Sequence, residues 1–202
     1  MLIKVHPDNP APRHIKMIAE TIKDGGVVII PTDSVYAVAC GIHSPKAYER
    51  ILQIKGIKKK EANFSFLFNN LSQITDYTLP FTKECYKLMR KSLPGPFTFI
   101  LRANNKIPKL FQSKKKTIGI RVPDNKIVSA IIDAVGTPLM TTSLKGDDEL
   151  LEYFINPELI YEAYGKQVDM VVDGGYGDIT PSTVISCLND EIEVIREGKG
   201  KI

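Results

Sequence analysis

Apolar residues recur along this chain in two rhythms. Segments 11–23, 45–55, 82–93, 125–135 and 157–164 place them three or four positions apart, the spacing of a helix with one buried stripe. Segments 2–6, 27–30, 35–42, 64–68, 97–101, 117–122, 139–143, 168–172, 183–187 and 191–195 are short and rich in β-branched and aromatic residues, which predicts strands. Strands and helices alternate over most of the length, and no repeat or linker interrupts them. The pattern predicts one layered α/β domain over residues 1–202.

Local punctuation supports these bounds. Ser44 before Pro45 reads as an N-cap followed by a first-turn proline, and Gly25-Gly26 stops the helix before it. Val27 to Ile30 is a continuous apolar run, the pattern of a strand covered on both faces. Pro31 ends it, and Thr32, Asp33 and Ser34 follow at once. Two readings of that corner stand side by side: an ordinary turn, or polar groups set where α/β sheets bind ligands. In 117–122, alternation places Thr117, Gly119 and Arg121 on one face and Ile118, Ile120 and Val122 on the other.

Composition narrows the classes. With 43% hydrophobic and 25% charged residues the chain can bury a real core, so extended disorder is excluded. The net charge of +4 suits a phosphate-bearing partner, and lysines cluster at 58–60 and 114–116, where solvated loops are the alternative reading. Cys40, Cys85 and Cys187 are far apart and form no CxxC pair, so they read as small buried hydrophobes, with no disulfide framework. His6, His14 and His43 lack ligand spacing, and no metal site is expected. Walker, GxGxxG, GxSxG and HExxH motifs are absent. No apolar leader or membrane-length run occurs, so the expectation is a cytoplasmic protein without a membrane partner.

Chemistry gathers where strands end. Thr32, Ser34, Arg121, Thr141, Ser143, Ser182 and Thr183 are hydroxyl or basic groups at such positions. If they converge, the site is rich in donors and poor in acid–base groups, suited to holding a carboxylate, bicarbonate or phosphate. The competing reading makes the hydroxyls ordinary strand residues and Arg121 a surface charge.

The chain also resembles the YrdC-like family of threonylcarbamoyl-AMP synthases, and within it the YciO branch. The resemblance rests on GGVVIIPTDSVYAVAC at 25–40, ILQIKG at 51–56, LPGPFTFIL at 93–101, TIGIRVP at 117–123, DGGYG at 173–177, PSTVI at 181–185 and VIREG at 194–198. It implies a single-domain YrdC-like fold: a twisted, mixed sheet flanked by helices around a basic concave site. It also implies a reaction, the condensation of L-threonine, bicarbonate and ATP, with Mg2+ on the triphosphate, to threonylcarbamoyl-AMP and pyrophosphate. A partner transferase then passes the threonylcarbamoyl group to tRNA.

Carried over by motif, Thr32, Ser34, Arg121, Thr141 and Ser182 fall where the family holds L-threonine. Lys55, Lys58, Thr117, Ser143 and Arg196 fall at the nucleotide, with Lys55 and Ser143 implied as the catalytic pair. Two departures lie in the nucleotide half. The family's K-x-R reads Lys55-Gly56-Ile57 here, and its S-x-N reads Ser143-Leu144-Lys145. The resemblance therefore leaves two functional classes: a nucleotidyltransferase of the synthase type, or a YciO-type diverged homologue that binds nucleotide, tRNA or double-stranded RNA with little synthase activity.

Overall fold

The strand β2 (Val28–Ile30) lies in the middle of one half of the molecule and is sealed on both sides. Val27 and Ile29 enter one apolar cluster, whereas Val28 and Ile30 enter another. This is the burial that the VVII run predicts. The computed structural model describes residues 1–58, 64–113, 116–144, 154–189 and 191–201.

Among the described residues, nine more strands join β2: β1 (Leu2–Lys4), β3 (Ala37–Gly41), β4 (Ser65–Leu67), β5 (Phe97–Arg102), β6 (Thr117–Arg121), β7 (Leu139–Ser143), β8 (Met170–Asp173), β9 (Thr183–Leu188) and β10 (Glu191–Arg196). They form one mixed sheet in the order β1-β8-β2-β3-β7-β4-β6-β5-β9-β10. Parallel steps join β1 to β8, β8 to β2, β4 to β6 and β5 to β9, and the other steps are antiparallel. The helices are α1 (Pro12–Lys23), α2 (Pro45–Lys55), α3 (Leu71–Thr75), α4 (Lys83–Ser92), α5 (Lys126–Val135) and α6 (Pro157–Tyr164).

The caps behave as the residue types dictate. Ser44 accepts from the Ala47 amide, Thr82 from Cys85 and Asn125 from Val128, each side chain closing an orphan donor of a first turn. Gly56 ends α2 in the left-handed region at φ +61°. Two expectations change. Val35 and Tyr36 are not strand, because Tyr36 turns its ring into the core and β3 begins at Ala37. The one-turn helix α3 was not predicted from the pattern, although Asn70 caps it by accepting from Gln73.

The register sorts the sheet's two faces. Across the back runs the row Cys40, Met140, Phe66, Ile120, Phe99, Ile185. All six are fully buried, in the cluster that also takes up Ile51 of α2, Met89 of α4 and Ile160 of α6. Across the front runs the row Ala39, Thr141, Ser65, Gly119, Ile100, Ser186, Glu193. Its first part lies under α1 and α5, whose Ile18, Ile22, Ile127 and Ile131 pack on Val28, Ile30, Ala39, Leu67 and Leu139. Beyond Thr141 the front row is small or polar except for Ile100, and it leaves both apolar clusters. Apolar cover on one half and hydroxyls on the other leave a polar strip along β4, β6, β5 and β9. Among the described residues no helix is long and apolar enough to cross a membrane.

Candidate functional site

The polar strip gathers part of the residues singled out in the sequence; Thr183, opposite Phe97, faces the back of the sheet instead. Thr117, Gly119 and Arg121 share the front face of β6, as alternation predicts, and Thr141 and Ser143 share that of β7. Arg196 lies opposite Val184, itself opposite Thr98, so it faces the same way. Gly119 forms the floor: a Cβ there would meet Ser65 Oγ at 3.0 Å and Thr98 Cγ2 at 3.1 Å. Thr141 is held down by donating to the Ser65 carbonyl at 3.1 Å.

The strip runs into the corner after β2. Four strand steps separate β2 from β6, and a normal twist of roughly 20–25° per step turns them about a right angle. The end of β6 thereby meets that corner. Arg121 Nη2 donates to Asp33 Oδ1 at 2.5 Å and to Ser34 Oγ at 3.0 Å. Arg121 is a buried charge, 7% exposed, and not a surface residue. Asp33 Oδ2 accepts from the Asp124 amide at 3.0 Å, so this carboxylate fixes both the guanidinium and the turn that follows β6. Arg121 Nε is buried without a partner. Burial pulls the Arg121 pKa below its ordinary value; the Asp33 carboxylate opposes that shift, and the nearby Arg196 charge adds to it.

Thr32 and Ser34 complete the corner. The Thr32 hydroxyl donates to the Val35 carbonyl at 2.7 Å and accepts from the Ser34 amide at 3.0 Å. It is thus both a turn former and a neighbour of Ser34 Oγ, 3.2 Å away. The turn reading of PTDS holds, and the turn leaves the two hydroxyls side by side. Ser182 Oγ pairs with Thr98 Oγ1 at 2.7 Å, and the Ser182 carbonyl accepts from Arg196 Nη2 at 2.8 Å. Burial lowers the Arg196 pKa as well.

The residues carried over as nucleotide-binding separate into two places. Lys55, last in α2, donates from Nζ to the carbonyls of Ser143 at 3.0 Å and Leu144 at 3.3 Å, which joins the two residues carried over as central. Thr117 lies at the other end of β6 from Arg121, with its hydroxyl paired to Ser113 Oγ at 2.7 Å. Lys58 is exposed just past Gly56. Ile57, where the family carries arginine, is half-buried and apolar. Lys59, Lys60, Lys114, Lys115 and Lys145 lie outside the described residues.

Three contributors escaped the sequence reading as site residues. Asp33 is the counter-charge of Arg121, Asp178 donates its amide to the Ser34 carbonyl at 3.1 Å, and Lys199 Nζ donates to the Asp33 carbonyl at 2.8 Å. A carboxylate inside PTDS was a usable signal, since a buried arginine needs one. Cations and hydroxyls dominate, and histidine is absent from the cluster. Such an arrangement has the chemistry to hold and orient an anion, and it offers little general acid–base capacity.

Comparison with known proteins agrees with this architecture. The family model Sua5_yciO_yrdC, described as telomere recombination, matches residues 20–198. The chain belongs to the Sua5/YciO/YrdC family. YciO of Escherichia coli (strain K12), itself uncharacterized, is 40% identical over 200 residues, covering 98% of this chain and 95% of that one. The crystal structure of E. coli YciO superposes with a TM-score of 0.91 at 37% identity, over 100% of this chain and 97% of that one. The threonylcarbamoyl-AMP synthase of Halorhodospira halophila is 25% identical over 179 residues, 89% of this chain and 92% of that one. P. abyssi Sua5, crystallised with L-threonine, matches with a TM-score of 0.87 at 22% identity, over 98% of this chain and 57% of that one. The expected fold, a mixed sheet flanked by helices, is thus the family's own.

Proposed function

We propose that this protein activates an amino acid with ATP, forming threonylcarbamoyl-AMP from L-threonine, bicarbonate and Mg-ATP. The observation that carries the reading is the shared front face of Thr117, Arg121, Thr141, Ser143 and Arg196, running along the polar strip into the Thr32–Ser34 corner. The L-threonine complex of P. abyssi Sua5 supports L-threonine as the amino acid. Thr32, Ser34, Arg121, Thr141 and Ser182 would hold it at the corner. Lys55, Lys58, Thr117, Ser143 and Arg196 would hold the nucleotide along the strip. The threonine amine takes up bicarbonate with loss of water, and the carbamate oxygen attacks the α-phosphorus as pyrophosphate leaves. The protein's share is alignment and charge: cations facing phosphate and carboxylate, with no covalent intermediate. Magnesium arrives with the triphosphate as part of the substrate. Among the described residues no three His, Cys, Asp or Glu gather as a metal cluster.

The test is mass-spectrometric detection of threonylcarbamoyl-AMP after incubation with isotopically heavy bicarbonate. Label in the product supports the reading; ATP left intact in the presence of all three substrates refutes it. Half-buried Ile57 favours a second reading, because an apolar side chain cannot replace an arginine fork at phosphate. On that reading the protein binds nucleotide or RNA, tRNA included, without turnover. Salt-sensitive RNA binding in the absence of product would select it.

A further inference from the structure

We propose that Lys199 is a positioning residue that clasps the C-terminal tail across the site and fixes the corner that carries Arg121. The inference rests on the amino-acid reading of that corner. The tail is pinned before the side chain leaves it. Lys199 N donates to the Pro181 carbonyl at 2.8 Å, and buried Thr183 Oγ1 accepts from the Gly198 amide at 2.9 Å while donating to the Gly200 carbonyl at 2.7 Å. Neither flanking glycine tolerates a side chain. A Cβ on Gly198 would stand 2.3 Å from the Pro181 carbonyl oxygen, and one on Gly200 would stand 2.6 Å from the Phe97 ring.

From this fixed base Lys199 Nζ reaches two separate segments. It donates to the Asp33 carbonyl at 2.8 Å and pairs with Asp178 Oδ2 at 2.9 Å. Those segments enclose Ser34, whose carbonyl accepts from the Asp178 amide. The Asp33 side chain in turn holds Arg121. One lysine thus joins the tail, the PTDS corner and the loop after β8. Its side chain is 42% exposed and that of Asp178 32%, so water screens the pair and its share of global stability is small. Its effect is geometric: without it, the corner and the loop keep fewer bonds between them and open more readily while the core stays folded.

The experiment compares wild type, Lys199→Met and Lys199→Arg by amide hydrogen exchange, urea unfolding and calorimetric titration with L-threonine. Lys199→Met is expected to speed exchange of the Asp178 amide by about tenfold, with the urea midpoint unchanged. It is expected to weaken L-threonine binding by on the order of tenfold to a hundredfold, because displaced contacts cost affinity steeply. Lys199→Arg, which keeps the charge and reach, should recover much of both. Unchanged Asp178 exchange overturns the proposal, and so does faster exchange with full L-threonine affinity. A wild-type protein that binds no L-threonine refutes the amino-acid reading instead, and the exchange comparison still decides whether Lys199 holds the corner.

Discussion

Replacing Arg121 by alanine should destabilise the whole protein, and the size of that effect follows from its surroundings. The Arg121 and Asp33 side chains are 8% and 7% exposed and meet at 2.5 Å. Removing one member leaves the Asp33 carboxylate buried without its counter-charge, a loss of about 3–5 kcal/mol. For a chain of this size roughly 2–4 °C accompanies each kcal/mol, so the thermal midpoint should fall by about 6–20 °C. Urea unfolding at constant slope would measure the change directly. The neutral pair Asp33→Asn with Arg121→Gln should be less damaging than the two single changes summed, with a coupling of about 1–3 kcal/mol. An Arg121→Ala protein within about 1 kcal/mol of wild type would refute a buried, formed ion pair. The same reasoning limits the use of this variant: loss of ligand binding in it would mix the site with the fold.

Two further substitutions probe other parts of the account. Gly119→Ala places a methyl 3.0 Å from Ser65 Oγ on the strip's floor, and should weaken ATP binding about tenfold in calorimetry while leaving the unfolding free energy within about 1 kcal/mol of wild type. Lys199, and then the Thr180 amide, hold the Asp178 pKa below its usual value. Its contribution to stability is therefore present above the unfolded-state value of about 3.9 and is lost as pH falls through the lower folded value. Because water screens the pair, Asp178→Asn should lose at most a small part of the stability near neutrality, and any gap should close in acid unfolding below about pH 4. A gap that stays constant with pH would contradict the Lys199–Asp178 contact.

What could be read from the sequence was what local spacing encodes. The VVII run, the Ser44-Pro45 start and the alternation of TIGIR each depend on neighbours within a few residues, and each holds in the fold. The one-turn helix α3 was too short to show a period. Tyr36 looked like strand because its neighbours are apolar. Its hydroxyl instead donates to the Gly175 carbonyl at 2.6 Å, a contact 139 positions away. Lys199 gave no signal for the same reason, since its partner at Asp33 is 166 positions distant. The cysteines fit their reading as small hydrophobes: Cys40 and Cys85 are buried and Cys187 is half-buried against the core. Burial pushes the Cys40 thiol up to about 12, which keeps it unreactive at neutral pH.

The most direct measurement is steady-state pyrophosphate release from Mg-ATP, with L-threonine and bicarbonate omitted one at a time. The account predicts release only when both co-substrates are present, because the strip and the corner must be filled together. Release that ignores L-threonine, or none at all from protein that binds ATP, would contradict it.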